Sequence, residues 1–427
     1  MKTSLLRNPA VFAWCLYDLA NTIFAMNMTS YHFPVWVVSD RGGQELHYSA
    51  AFGISMLASA LVMPRLGAES DRSGGRVPAM VLWTLGCVAL TAALTWIPNL
   101  AVALTAFALA NFCYQLAGVF YNALLPAISR DGQMGRISGY GVALGYVGTL
   151  IGILATAPVA ARWGRQATFL PTALLFLVLA LPSFFLVREK REKESGTSSQ
   201  VGGLAGSART DHPVTLSVSK GDRGNVRSLL RPLLAPALIG LGALGTVILF
   251  MSVYAKQAIG LTDAELQRFL TLATLVTIGA SFLWGRATDR WGGFRTLRAV
   301  WVVWILVFGL ATVTLDERVF LLIGCLAGTA LGGTWVASRV LLVQWVGPAR
   351  IGEAFGLFGL ISRLSAVAGP MLWAGLLWLC KPMGSVRYQL GMGVLFLCMA
   401  LGAWRFCRLR PPAVIKLGTQ YLFPASE

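Results

Sequence analysis

Charge is what this sequence has least of. Of its 427 residues 12% are Asp, Glu, Lys or Arg, against about 25% in a soluble chain. Histidine occurs three times, too few for the usual zinc or acid–base constellations. There is no HExxH, no GxSxG and no GxxxxGK[ST], so metalloprotease, serine-hydrolase and ATP-hydrolysing chemistry have nothing to work with. Cys15, Cys87, Cys113, Cys325, Cys380, Cys398 and Cys407 lie in or at the ends of apolar runs without a CxxC pair. They read as small buried residues, and neither a disulfide framework nor a zinc site is expected. The chain is therefore not expected to be an enzyme, and no cofactor is expected.

Apolar sequence is abundant instead, at 56% hydrophobic residues. A helix crossing about 30 Å of hydrocarbon needs roughly 20 apolar residues. Stretches of that kind run over 10–38, 48–66, 78–96, 100–126, 136–160, 166–187, 231–257, 266–284, 296–315, 318–346, 352–378 and 384–407. The N-terminal run follows a basic start but has no small-residue cleavage site, so it reads as the first span and not as a removable signal. The expected fold class is an all-α membrane protein of twelve transmembrane helices.

A net charge of +17 would suggest nucleic acid in a soluble protein, but its distribution here is a topology signal. With the N-terminus placed inside, 25 Lys and Arg fall in cytoplasmic segments against 8 outside, with Arg339 and Arg363 inside spans. Basic loops resist translocation, so both termini are expected in the cytoplasm, the membrane being the cytoplasmic (inner) one or, as the alternative, an internal organelle membrane. No nucleic-acid partner is expected; the lipid bilayer is the expected partner, and the chain is expected to be a monomer. Residues 188–230 are rich in Gly, Ser and charge and lack an apolar period, so they read as a flexible cytoplasmic linker. The linker separates bundles at 1–187 and 231–410, and 411–427 reads as a cytoplasmic tail.

The two halves echo each other. Residues 67–76 read GAESDRSGGR and residues 285–295 read GRATDRWGGFR, each following the second span of its half, with Asp71 and Asp289 218 positions apart. A weaker echo links GRISGYGVALGYVG from Gly135 to GEAFGLFGLISRLS from Gly352 at an offset of 217. Parallel six-helix repeats about a membrane-normal axis describe secondary transporters of the major facilitator type. Each phrase reads as a loop of about ten residues whose glycines, Gly67, Gly74, Gly75 and in the second copy Gly285 and Gly293, supply tight turns. Asp71 can then cap a helix N-terminus, while Arg72 and Arg76 pair with it or with lipid phosphate; Asp289, Arg290 and Arg295 repeat the pattern.

These phrases resemble the loop signature of the major facilitator superfamily. The strings WCLYDLANTIFAMNMTSYHFPVWV and VFYNALLPAISRDGQMGRISGYGVALGYVG, together with the stretch from LGGTWVASR to LSAVAGP, are similar to its vacuole effluxer branch, which includes autophagy-related amino-acid effluxers and bacterial relatives. That resemblance implies an interdomain latch at Asp71, a central cavity lined by helices one, four, seven and ten, and an amino acid or related metabolite exported by alternating access. Leu19, His32 and Trp335 depart from the branch pattern, so the cargo does not simply carry over.

Charges inside spans are costly and mark cavities or partners. Asp18 and Arg339 lie at similar depths, about 12 and 10 Å from the cytoplasmic edge at about 1.5 Å per residue, so they are able to pair. Asp18 then reads either as a proton- or cation-coupling group or as half of a structural ion pair. Arg363, near mid-membrane, suits an anionic group of the cargo or a lock to a neighbouring helix. Tyr17, Asp18 and Asn21 in span one, and Asn111, Gln115, Gly118 and Asn122 in span four, form polar stripes that suit substrate contact or interhelical bonding. Met28 and His32, one turn apart, offer a second reading as soft ligands for a transition metal such as iron. A non-transporting receptor or scaffold on the same fold is the third.

Overall fold

The computed structural model describes residues 5–130, 132–189, 226–384 and 386–409. The expected linker falls for the most part on 190–225 and the tail on 411–427, both outside the described residues. Six helices precede that gap: α1 over Pro9–Asp40, α2 over Glu45–Ser73, α3 over Arg76–Trp96, α4 over Leu100–Ala123, α5 over Met134–Trp163 and α6 over Arg165–Leu186. After it, α7 covers Val226–Tyr254 and continues through a π-helical turn, Ala255–Ile259. A helix of 51 residues, Asp263–Val313, breaks at Gly292 (φ 80°, ψ 160°) into α8 (263–291) and α9 (293–313). The remaining helices are α10 over Glu317–Val346, α11 over Ile351–Leu379 and α12 over Val386–Cys407. Twelve spans in two bundles of six are thus present among the described residues.

Local chemistry explains the ends. Asn8 caps α1 by accepting from the Ala10 amide at 3.1 Å, with Pro9 in the first turn where its missing N–H is no loss. Asn99 and Asp316 cap α4 and α10 in the same way. The repeated phrases differ from the expected ten-residue loops: α2 stays helical to Ser73 and α8 stays helical through Asp289. The turn is confined to a pair of glycines, whose first member takes the left-handed φ, Gly74 at 64° and Gly292 at 80°. No side chain intervenes there to oppose the positive φ, so helix runs up to the glycine and stops. Helix α7 likewise begins at Val226, five residues before the expected start of the second bundle.

Each half has its own core. One is built on Trp14, Tyr17, Phe33, Phe107, Tyr121 and Phe169, the other on Tyr254, Phe269, Trp301, Trp304, Phe320 and Phe406. Leu61, Leu154, Leu283 and Trp378 point outward, as lipid-facing side chains do. The halves meet along two seams, α2 against α11 and α5 against α8. Small residues let the backbones touch: a Cβ on Gly352 would lie 2.5 Å from the Gly67 carbonyl oxygen, and one on Gly285 would lie 2.8 Å from that of Gly135. These are the two echoes of the sequence packed crosswise, first copy of one against second copy of the other.

Candidate functional site

Both seams close at the end of the molecule that carries Gly74 and Gly292. There Asp71, on the last turn of α2, accepts from the Gly352 and Glu353 amides at 2.8 Å each, the first free N–H groups of α11. Asp289, on the last turn of α8, accepts from the Gly135 and Arg136 amides of α5 at 2.6 and 3.2 Å. A carboxylate at a helix N-terminus meets both unpaired donors and the positive end of the dipole. The two latches are neutralised differently. Asp289 takes its cation from the other half, Arg136 Nε at 2.7 Å. At the matching position of the first latch stands Glu353, so Asp71 draws Arg76 from its own half at 2.6 Å, and Arg350 pairs with Glu353 at 2.8 Å. Arg76 also donates to the Pro348 carbonyl at 3.1 Å, tying the seam a third time.

The flanking arginines of the phrases do less. Arg72, Arg290 and Arg295 are exposed, and Arg295 is not the partner of Asp289. Gly75 serves as N-cap of α3, and Gly293 lets α9 lie against α10, where a Cβ would stand 2.6 Å from the Leu341 amide.

Above this closed end lies a cavity of about 440 Å³ between the halves, within the range of about 300–1,000 Å³ that holds small ligands. Asp18, Asn21, Gln115, Asn122, Arg339 and Arg363 all border it. Asp18 and Arg339 meet across the halves as a two-pronged ion pair, Nη1 to Oδ2 at 2.9 Å and Nη2 to Oδ1 at 3.3 Å. The guanidinium also lies 5.4 Å from the Trp14 ring and 5.6 Å from the Tyr121 ring, a cation–π setting that further fixes it. Glycines of α5 make room: a Cβ on Gly141 would sit 3.2 Å from Asp18 Oδ2. A second bridge between the halves joins Arg363 Nη2 to Gln115 Oε1.

With Asp18 and Arg339 balancing each other, Arg363 is the surplus charge among the residues bordering the cavity. Its partner is a neutral amide, and its Nε is buried without a hydrogen bond. Asn21 Oδ1 and Asn122 Oδ1 are buried without a donor, although Asn21 Nδ2 reaches Tyr114 Oη at 3.4 Å and Asn122 Nδ2 reaches the Gly118 carbonyl at 2.7 Å. Buried polar atoms are nearly always paired, so these three atoms, on residues that border the cavity, leave one donor and two acceptors unmatched.

Other residues expected on the cavity wall face elsewhere. Tyr17 is turned into the first bundle, its hydroxyl 2.6 Å from Thr84 Oγ1 and its ring stacked on Tyr121. Asn111 is fully buried and donates to Ser55 Oγ at 2.7 Å. Met28 and His32, the candidate metal ligands, do not border the cavity either: Met28 lies in the first core, and His32 bonds Thr156 Oγ1 at 2.8 Å. The helix expectation also needs correction: among the described residues α7 contributes nothing to the cavity wall, while α2, α5 and α11 join α1, α4 and α10. Trp335, noted in the sequence as a departure from the branch pattern, is on the wall, and Phe52, Tyr146 and Phe358 are wall residues that sequence reasoning passed over. The only signal for them was apolar or aromatic character, which packing shares.

Comparison with known proteins agrees with this architecture. A family model described as Major Facilitator Superfamily matches residues 19–262 and 237–421. A protein of Aquifex aeolicus (strain VF5) named only as uncharacterized is 26% identical over 86% of this chain and 89% of its own. The uncharacterized MFS-type transporter YxiO of Bacillus subtilis (strain 168) is 23% identical over 85% of this chain and 87% of its own. Among solved structures, the human organic anion transporter MFSD10 (TETRAN) superposes with a TM-score of 0.68 at 16% identity, covering 93% of this chain and 100% of that one.

Proposed function

Since the chain belongs to the Major Facilitator Superfamily, a family of membrane transporters, we propose that it moves a small zwitterion, an amino acid or related metabolite, outward by alternating access. The observation that carries this reading is the unmatched hydrogen-bonding capacity of the cavity. Arg363 offers a cation and a spare N–H to a carboxylate, and Asn21 and Asn122 offer spare carbonyl oxygens to an ammonium group. Binding at Arg363 would replace a neutral Gln115 amide by a carboxylate, an exchange favoured because charge-assisted bonds are roughly twice as strong as neutral ones. The superposed MFSD10 is itself described as an organic anion transporter, which accords with a surplus positive charge.

With the termini placed in the cytoplasm by the charge bias, the latched end is the cytoplasmic one and the cavity belongs to an outward-facing state. Export then requires the opposite state to be reached by breaking both latches and the Asp18–Arg339 and Gln115–Arg363 bridges, all of which join the halves. The two-pronged geometry of Asp18 favours the role of a clamp between the halves over that of a free coupling group. The metal reading receives less support, because Met28 lies in the first core, His32 bonds Thr156, and neither borders the cavity.

Purified protein in liposomes, loaded with unlabelled amino acids and exposed to a ¹⁴C-amino-acid mixture, tests the reading by counterflow. Uptake of label by the wild type and its loss in Arg363→Ala are expected. No counterflow across the whole mixture would favour the receptor or scaffold reading.

A further inference from the structure

A second group of unmatched polar atoms lies on the same helix, on residues that do not border the cavity. The segment Ala25–Tyr31 of α1 is π-helical, a form that is rare and gathers at functional sites. Ala25 and Thr29 from this segment border the cavity. Asn27 within it and His32 at its end face α5 and α6 instead, with 0% and 2% of their surfaces exposed. Asn27 Nδ2 donates to the Gly152 carbonyl at 3.3 Å and to Thr172 Oγ1 at 3.0 Å. His32 Nε2 lies 2.8 Å from Thr156 Oγ1. Asn27 Oδ1 and His32 Nδ1 have no partner.

Comparison of the two halves shows that this polarity is particular to the first. At the offsets of 218 and 217 that relate the halves, His32 and Thr156 correspond to Phe250 and Trp373. Those two rings pack together at 6.2 Å in the second half. Gly152 corresponds to Gly369, so the close helix approach is common to both halves while the imidazole is not. The fold fills this place with apolar rings in one half and with a titratable group in the other.

Hydrogen-bond inventory fixes the state of the ring. Thr156 spends its proton on the Gly152 carbonyl at 2.6 Å, so its oxygen can only accept from His32, which places the imidazole proton on Nε2. Nδ1 then carries a free lone pair, one π-helical turn from the free Oδ1 of Asn27. Two acceptors face no donor. A single proton on Nδ1 turns this mismatch into a donor and an acceptor.

We propose that His32 is a proton-binding site through which pH acts on the cavity-lining segment of α1. The proton comes from water at the end of the molecule that carries Arg41 and Arg165, binds Nδ1 and leaves from the same nitrogen; no other bond forms or breaks. Histidine is the side chain suited to this, since its ordinary titration falls between about pH 5 and 8. Around it, Arg165 of α6 is held by Asp40 at 2.6 Å, Arg41 is held by Gln166 at 2.6 Å, and Arg162 of α5 lies over Trp163. The Tyr31 ring lies tilted against the imidazole at 4.8 Å, and the Tyr48 hydroxyl of α2 donates to the Thr29 carbonyl at 2.5 Å. Protonation draws Nδ1 toward Asn27, shifting the turn that also presents Ala25 and Thr29 to the cavity. In the transport reading, on which only this consequence rests, a proton bound here is the coupling ion.

Spin labels at Ser39→Cys and Gln257→Cys, on the outer ends of α1 and α7, report the movement in lipid nanodiscs. The accessible native cysteines Cys325, Cys380, Cys398 and Cys407 are replaced by serine. Between about pH 8 and about pH 5.5, a range spanning histidine titration, the distance distribution is expected to shift. The shift should vanish in His32→Phe, which installs the residue found in the other half, and in His32→Gln, which keeps a polar group without titration. Asn27→Leu should move its midpoint to lower pH, because the imidazolium loses its acceptor. A wild type insensitive to pH, or a shift that survives in whichever histidine variant folds, overturns the proposal. Counterflow of the ¹⁴C-amino-acid mixture at equal pH should persist in His32→Gln while stimulation by a pH gradient is lost. If the wild type moves no amino acid, the cargo reading fails, and the distance measurement still decides the histidine.

Discussion

Two arginines inside the membrane illustrate how much a partner decides. Arg339 has a carboxylate and two aromatic faces, whereas Arg363 has one neutral amide. Removing one member of the first pair strands a buried charge, so Arg339→Gln is expected to cost about 3–5 kcal/mol, and Asp18→Asn combined with Arg339→Gln to recover much of it. Melting temperatures of the single and double variants in detergent check this; equal loss in all three would show that the pair is not coupled. Arg363→Ala is expected to leave melting nearly unchanged while weakening cargo binding about 10- to 100-fold, the equivalent of one charge-assisted bond. Titration calorimetry with the best amino acid of the counterflow mixture measures it.

At this scale the sequence was half legible. That Asp18 and Arg339 meet follows from matching depth, which a rise per residue predicts. Which way Tyr17 and Asn111 face does not follow, because one polar stripe serves equally for a cavity wall and for bonds such as Tyr17 to Thr84 or Asn111 to Ser55. His32 appeared in the sequence beside Met28 as a metal ligand; only the position of Thr156, and of Phe250 and Trp373 in the other half, shows what surrounds it.

Among the helices, the contacts between the halves are concentrated in two seams of small residues. The close approach of α2 to α11 at Gly67 and Gly352, and of α5 to α8 at Gly135 and Gly285, leaves no room for a side chain. Gly135→Val is therefore expected to hold the latched end open. A cysteine at Ser138, buried there with its hydroxyl 3.3 Å from the Val336 carbonyl, should react faster with a maleimide than in the parent protein; unchanged protection would mean that the seam tolerates the added methyls. The twelve spans and their pairing across the repeat could be read from hydrophobic period and offset. The continuation of α2 and α8 through the repeated phrases could not, since their charged residues and glycines resemble a loop until Gly74 and Gly292 are seen to make the only left-handed breaks there.

For the whole molecule, two pseudo-symmetric latches hold one end shut, and their asymmetry makes a prediction. Arg136 neutralises Asp289 from the other half, while in the first latch Glu353 stands in the matching place and pairs with Arg350, and Asp71 is neutralised by Arg76 of its own half. Arg136→Glu should therefore open that end more than Arg136→Gln does, since the position matching Arg76 in the second copy is the buried Phe294. Labelling of the Ser138 cysteine in each background compares them; equal rates would contradict the charge argument. A machine that cycles needs both states within a few kcal/mol, and the latches, each of a few bonds, are of that size.

The central claim is that this cavity carries a zwitterion held at Arg363, and counterflow in liposomes tests it most directly. The wild type should exchange external ¹⁴C-labelled amino acid for internal unlabelled amino acid, and Arg363→Ala, folded and inserted to the same extent, should not. Exchange that proceeds equally in both, or that is absent from the wild type for every amino acid in the mixture, would contradict it.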